Sequence, residues 1–226
     1  MPEPGAQILV FTKTTNFRHQ SITAGKKALE SIAVKNGLQV YATENADIFA
    51  EKSLRQFDVV VFLLTSGNVL DENQQQAFTQ FIQSGGGFMG IHSAADTEYK
   101  WPWYGQLVGA RFKTHPTDPS VREGKITVIR NDHMATMGLP TIWVRRDEWY
   151  EFRQFQKGLN ILLGVDERSF KSDAEKPVSE LQPVAWFHEF DGGYAFYTAL
   201  GHTKESYQEP LFLKHLEGGL LSVLGK

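Results

Sequence analysis

Seven histidines and no cysteine set the chemistry open to this chain. Imidazole titrates near neutrality, so a positioned histidine can take and give a proton or ligate a metal. Without a thiol there is no disulfide, no thiolate metal ligand and no thiol nucleophile. His92 is the most informative of the seven. It ends the apolar run Phe88-Met89-Gly90-Ile91, which follows Gly85-Gly86-Gly87, and the chain must turn sharply after it. A histidine there is presented at a sheet edge for acid–base work or metal ligation; the plainer alternative is a ring bonded to neighbouring backbone. His19, His115, His133 and His202 also stand in polar segments. His115 and His133, each taken alone, read as structural, and His188 and His215 fall inside strand and helix patterns as scaffold.

Two further groupings carry chemistry. Asp147-Glu148 places adjacent carboxylates beside Trp149-Tyr150. Such a pair can divide acid and base roles if the two environments differ, and it can equally be a solvated turn. Trp101-Pro102-Trp103-Tyr104 gathers three aromatic rings around a proline. It reads either as a loop packed on the core or as a platform for the apolar face of a sugar ring. No HExxH and no tight histidine pair is present, so no metal ligand set is assigned. Convergence of His92, His115, His133 and His202 with a carboxylate leaves a divalent metal open. Neither GxGxxG nor GxxxxGK[ST] occurs, and the triple glycine precedes a strand rather than following one, which disfavours a nucleotide cofactor.

The elements that must position these groups alternate along the first half. Strands are expected at Gln7–Thr12, Leu38–Thr43, Asp58–Leu64 and Phe88–His92, with helices from Ser21 to Asn36 and from a cap at Asp71 to about Ser84. This alternation signals an α/β fold with a doubly wound, mostly parallel sheet. Later strands are expected at Lys125–Ile129, Asn160–Leu163, Val184–His188 and Ala195–Leu200, and a last helix from about Pro210 to Val223. Asp191-Gly192-Gly193 reads as a hairpin turn, so an antiparallel pair is expected to close the sheet edge. Ser169–Gln182 reads as a surface loop and residues 1–6 as a disordered tail. In open α/β sheets ligands bind beyond the carboxyl ends of the strands. That rule selects the loops holding His19, Thr65, Asp96 with His92, and His202.

The remaining composition bounds the partners. A chain of 226 residues with 41% hydrophobic and 22% charged residues can bury one core, and no linker or repeat divides it. A net charge of −3 implies no basic face and hence no nucleic-acid partner. The opening Met1-Pro2-Glu3-Pro4-Gly5-Ala6 lacks the basic start and apolar core of a signal peptide, and no apolar stretch approaches a membrane span. A cytoplasmic, membrane-free protein is therefore the default expectation, or a periplasmic one if a leader has been removed. A homo-oligomer stays open.

Longer segments carry a family resemblance. Phe17-Arg18-His19-Gln20-Ser21-Ile22, the stretch Gly85 to Phe112, Thr114-His115-Pro116, Asp147-Glu148-Trp149-Tyr150, Pro183-Val184-Ala185-Trp186 and Phe196 to Tyr207 resemble the ThuA-like, trehalose-utilization family from Ile8 to Gly225. The chain departs from the usual pattern at Gln182, where histidine is common, and at Tyr194, where arginine is common. The resemblance implies a flavodoxin-like, three-layer sandwich of the class I glutamine amidotransferase type. His92 would stand at the nucleophile elbow where those enzymes carry cysteine, and His202 at the place of their histidine, so glutamine hydrolysis is not expected. The resemblance further implies a role in bacterial metabolism of trehalose and related disaccharides through 3-keto-sugars. The expected catalytic set is His92, His202, Glu148 and Asp147. His19, Thr65, Asp96, Trp101, Trp103, Tyr104, His115 and Tyr150 are expected to bind substrate. A keto-sugar isomerase, lyase or hydrolase is the leading reading. A non-catalytic carbohydrate-binding protein and a metal-dependent hydrolase are the alternatives.

Overall fold

The computed structural model describes residues 5–172, 175 and 181–224. Four strands and their crossovers form the first half: β1 (Gln7–Phe11), α1 (Ile22–Lys35), β2 (Gln39–Thr43), α2 (Glu51–Leu54), β3 (Val59–Leu63), α3 (Glu72–Gln83) and β4 (Gly87–Ile91). The chain continues through α4 (Pro102–Val108), β5 (Arg111–Thr114), β6 (Val121–Val128), β7 (Ile142–Glu148), β8 (Glu151–Arg153) and β9 (Asn160–Asp166). The hairpin β10 (Gln182–Phe190) and β11 (Gly193–Thr198) and the helix α5 (Pro210–Leu224) complete it. One nine-stranded sheet runs β2-β1-β3-β4-β11-β10-β9-β6-β7, and β5 pairs with β8 separately.

Strands β2, β1, β3, β4 and β11 are mutually parallel, and every pairing beyond β11 is antiparallel. The sheet is thus half parallel and half antiparallel, where the sequence suggested a mostly parallel sheet closed by one antiparallel pair. The direction reverses at Asp191-Gly192, a two-residue loop with φ of 49° and 95°. Both values lie in the left-handed region that a tight hairpin needs and that Gly192 supplies without strain.

β3 and β4 are buried at every position, which explains their unbroken apolar runs. Adjacent residues of β3 face opposite layers. Phe62 stacks on Phe78 of α3 at 5.4 Å, whereas Leu63 lies against Gly25 of α1. Phe88 meets both Phe78 and Tyr104, so α3 and α4 share one face. On the other face α5 packs on β4, β11 and α1. Helices therefore cover both faces of the parallel half. α3 opens with a capping box in which Asp71 accepts from the Gln74 amide and the Gln74 side chain accepts from the Asp71 amide.

Strands β5, β7 and β8 were not anticipated. In β7, Ile142, Val144 and Arg146 are exposed while Trp143, Arg145 and Asp147 point inward. The alternation is regular, but two of the inward residues are charged, which hides a strand from an apolar reading. Residues 1–4 of the expected tail, and 173, 174 and 176–180 of the expected surface loop, lie outside the described residues. No helix among the described residues is long and apolar enough to cross a membrane.

His215 in α5 is scaffold, fully buried, with Nδ1 2.8 Å from the Ala135 carbonyl and Nε2 3.2 Å from Thr198 Oγ1. Burial pushes its pKa down to about 4, and the Arg145 charge adds to this. The unfolded imidazole titrates near 6.5, so between about pH 6.5 and 4 the unfolded chain binds the extra proton. Stability from this site is intact above pH 6.5 and declines as pH falls toward 4, by roughly 3 kcal/mol in all. Urea unfolding at pH 7.5 and 4.5 should show a smaller difference for His215→Gln than for wild type; equal differences would remove His215 from the acid response.

Candidate active site

The site lies beyond the carboxyl ends of β4, β11 and β7. β4 delivers His92 into a 3₁₀ turn, His92–Asp96, with a φ of 52° at the histidine. A non-glycine residue in this left-handed region is uncommon and is held there by its surroundings. The ring is fully buried. Its Nδ1 lies 2.6 Å from the Ala199 carbonyl, and Tyr197 donates to the His92 carbonyl at 2.8 Å. Because Ala199 offers only an acceptor, Nδ1 carries a hydrogen and Nε2 is the ring atom that faces the site.

β7 is four places beyond β11 in the sheet, yet it brings Glu148 to the same point. Glu148 Oε2 stands 3.2 Å from His202 Nδ1 and 3.4 Å from His92 Nε2, and the two histidines approach to 3.2 Å. The preceding residue secures this. Asp147 accepts from the amides of Gly201 (2.8 Å), His202 (3.0 Å) and Glu148 (2.9 Å) and pairs with Arg145 at 3.1 Å. The Arg145 guanidinium is in turn sandwiched between the rings of Trp143 and Phe212. Every lone pair of Asp147 is committed, and it touches no open space. Asp147 thus ties Glu148 and the Gly201–His202 backbone to one point.

His19 completes the cluster from the β1–α1 loop. Its Nδ1 is 3.3 Å from Ser93 Oγ, and its ring stands edge-on to those of His92 and His202 at 4.9 and 5.1 Å. The loop is tied down by Ser21, whose hydroxyl donates to the His202 carbonyl at 2.7 Å. Burial, reinforced by the neighbouring imidazoles, lowers the His19 pKa to about 2, so the ring is neutral. Burial alone would raise the Glu148 pKa, but hydrogen bonds from His202 and His92 outweigh it and hold the carboxyl well below its usual range. Burial lowers the basicity of His202, and the bond to Glu148 more than restores it, leaving its pKa raised. His202 is also the member that reaches solvent, its side chain 21% exposed against 0% for His92 and 5% for Glu148.

Around this core His115 sits half-buried, with Nδ1 2.6 Å from the Pro116 carbonyl and 3.5 Å from Glu148 Oε1. Tyr150 lies over His92 at 4.2 Å, and the exposed Phe17 stands against His19 at 4.7 Å. Asp96 is half-buried and its carboxyl pKa is raised, chiefly by burial. The structure thus assembles His19, His92, Glu148 and His202, with His115 and Tyr150 adjoining.

Other expected members lie elsewhere. Thr65 is buried in a hydroxyl–hydroxyl bond with Thr97 at 2.9 Å. Tyr104 is fully buried and donates to the Ala94 carbonyl at 2.9 Å. Trp101 and Trp103 stack on each other and pack against Phe78, and Trp103 donates to Asp191 at 2.8 Å. Asp191 marks the start of β11, the end of the sheet opposite His92, so these rings form no platform at the site. The proline that suggested a loop instead starts α4, where its missing N–H costs nothing. His133 stacks on Phe187 at 4.3 Å, away from the cluster. Ser93, which shares the loop after β4 with His92, adjoins the cluster as its loop position suggested, whereas Phe17 was quoted only within a motif.

Residues 7–222 match the family model for trehalose utilisation, ThuA. Among solved structures the chain is similar to a ThuA-like protein from Parabacteroides merdae, at 17% identity and a TM-score of 0.78 over 97% of this chain and 90% of that one. It is also similar to one from Bacteroides uniformis, at 19% identity and a TM-score of 0.75 over 96% of this chain and 90% of that one. A β-galactosidase from Rahnella sp. R3 shares the fold at 13% identity and a TM-score of 0.61, over 96% of this chain and 31% of that one. No functionally curated protein matches.

Removing one partner of a buried ion pair strands the other, at roughly 3–5 kcal/mol. Asp147→Asn should lower the unfolding free energy by about 3 kcal/mol. The further loss from adding Arg145→Met should be smaller than that of Arg145→Met alone. Strictly additive losses in a denaturant double-mutant cycle would mean that Arg145 does not hold Asp147.

Proposed function

The chain belongs to the ThuA-like, trehalose-utilisation family, and we propose that it is an enzyme of carbohydrate metabolism that transfers a proton on a 3-keto-glycoside. The family supports the carbohydrate role. The observation that carries the reaction is the buried Glu148 carboxylate shared between His92 and His202, with His202 the member open to solvent.

The chemistry follows from the substrate class. In a 3-keto-glycoside the C2 hydrogen is acidified by the adjacent carbonyl, and the glycosidic oxygen on C1 is β to that carbonyl. A base removes the C2 proton and the electron pair moves toward the carbonyl oxygen as an enolate. Reprotonation elsewhere gives isomerisation. Collapse with cleavage of the C1–O bond expels the glycosidic oxygen, which takes a proton and leaves. His202, made more basic by Glu148, is the base we assign, and Glu148 stabilises the imidazolium that results. His115, on the open side, is placed to serve the leaving oxygen. His92 and His19 hold the geometry. In this reading the sandwich is amidotransferase-like, and imidazole at the elbow replaces an acyl-forming thiol with a group that manages protons.

A positioned acid–base group contributes roughly 10²–10⁴ in rate. His202→Gln and Glu148→Gln should therefore lower kcat/KM on 3-keto-trehalose or a 3-keto-glucoside by roughly 10²–10⁴ while far-UV circular dichroism stays unchanged. Product release is followed by NMR. If these glycosides bind and no turnover occurs in wild type, or if both variants turn over as wild type does, the proposed reaction is wrong.

A further inference from the structure

The His92 Nδ1 hydrogen is spent on Ala199, which leaves Nε2 as the ring atom that faces the site. Nε2 stands 3.4 Å from Glu148 Oε2 and 3.2 Å from His202 Nδ1. Three atoms able to ligate a metal therefore converge. His19 adds a fourth donor, and one donor atom from each of the four residues lies within 4.8 Å of all the others.

The spacing is that of a coordination sphere. Metal bonds of about 2.0–2.1 Å in a tetrahedron put neighbouring donors about 3.3 Å apart. The separations between His92 Nε2, His202 Nδ1 and Glu148 Oε2 are 3.2, 3.2 and 3.4 Å. The surroundings match as well. Metal-ligating imidazoles are oriented by a second partner on the other ring nitrogen or nearby. His92 has the Ala199 carbonyl, His19 has Ser93 Oγ, and the His202 backbone is fixed by Asp147.

We propose that His19, His92, His202 and Glu148 bind one divalent first-row metal ion of the zinc type. Three imidazoles and a carboxylate without sulfur suit Zn²⁺, Co²⁺ or Ni²⁺ rather than Ca²⁺ or Mg²⁺. In its catalytic meaning this rests on the reading above. A metal here would supply Lewis acidity toward the substrate's carbonyl oxygen, and proton transfer would fall to His115, the neighbouring imidazole outside the ligand set.

The test uses the full chain purified without a histidine tag, stripped with a chelator and dialysed. Co²⁺ and Zn²⁺ are titrated by calorimetry, metal per chain is measured by mass spectrometry, and the Co²⁺ complex is read by its visible absorption. One ion per chain, with the intense visible bands of a four- or five-coordinate Co²⁺ site, is expected. Ser93→Ala, which removes the partner of His19 Nδ1, should weaken binding by roughly 10–100-fold, and His202→Gln by more than that. His133→Gln, outside the cluster, should leave affinity unchanged. Circular dichroism identifies a variant that has not folded, and His92→Gln serves as the second ligand variant. Absence of stoichiometric binding, or affinity equal to that of wild type in folded His202→Gln and His92→Gln, overturns the metal site. Full turnover of a 3-keto-glucoside by metal-free protein overturns its catalytic meaning and leaves the proposed reaction standing. Tight binding without turnover of any 3-keto-glycoside does the reverse.

Discussion

The site depends on one buried carboxylate with four polar partners. Asp147 holds the edge strand β7 to the loop that follows β11 through the amides of Gly201 and His202. In a flat sheet, four strand spacings would separate β7 from β11 by about 19 Å. The antiparallel half must therefore curl back over the carboxyl ends of the parallel half. Register shifts between Pro183 and Trp186 in β10, of the bulge type that bends a strand, sit where the curl needs them. The three amides and the Arg145 guanidinium repay the desolvation of Asp147, so the curl is fixed by specific bonds rather than by apolar contact alone. Gly201, with φ of 107° and Tyr207 against it, lets the loop present two consecutive amides to one carboxylate.

That geometry decides the electrostatics next to it. A carboxylate as buried as Glu148 would be expected to bind a proton, yet its pKa moves the other way. The reason is the imidazoles that Asp147 and Ala199 hold in place, which keep donors or positive charge against it. The bond to Glu148 raises His202, whereas burial and the neighbouring imidazoles leave His19 neutral. Two histidines thus acquire different characters from burial and neighbours within one cluster.

How much of this was legible in the sequence differs between the two halves. The parallel half announces itself, because β3 and β4 are apolar throughout and flanked by Asp71 and the triple glycine. The position of His92 at the end of β4 follows from that pattern. The antiparallel half was only partly visible. β9, β10 and β11 showed as apolar runs, whereas β7 alternates with Arg145 and Asp147 on its inward face and gives no apolar signal. His202, Glu148 and His19 were nominated by loop position and family motif, but nothing in their spacing showed that they meet at 3–4 Å. The aromatic segment misled for a physical reason. Trp101, Trp103 and Tyr104 are large because they fill the space between α3 and the sheet, and the indole nitrogen of Trp103 is satisfied by Asp191 at the far end.

The elbow also behaves differently from what the family resemblance suggests at first sight. A nucleophile at such a turn must point outward to meet its substrate. His92 occupies its turn with a left-handed backbone, but its ring is fully buried, locked by Ala199 on one side and covered by Tyr150 on the other. Its Nε2 addresses Glu148 and His202, so the left-handed turn aims the ring inward. The solvent side of the cluster is lined instead by His202, His115 and Phe17. The turn after β4 thus forms the inner wall of the cluster, and the face open to solvent lies one layer further out.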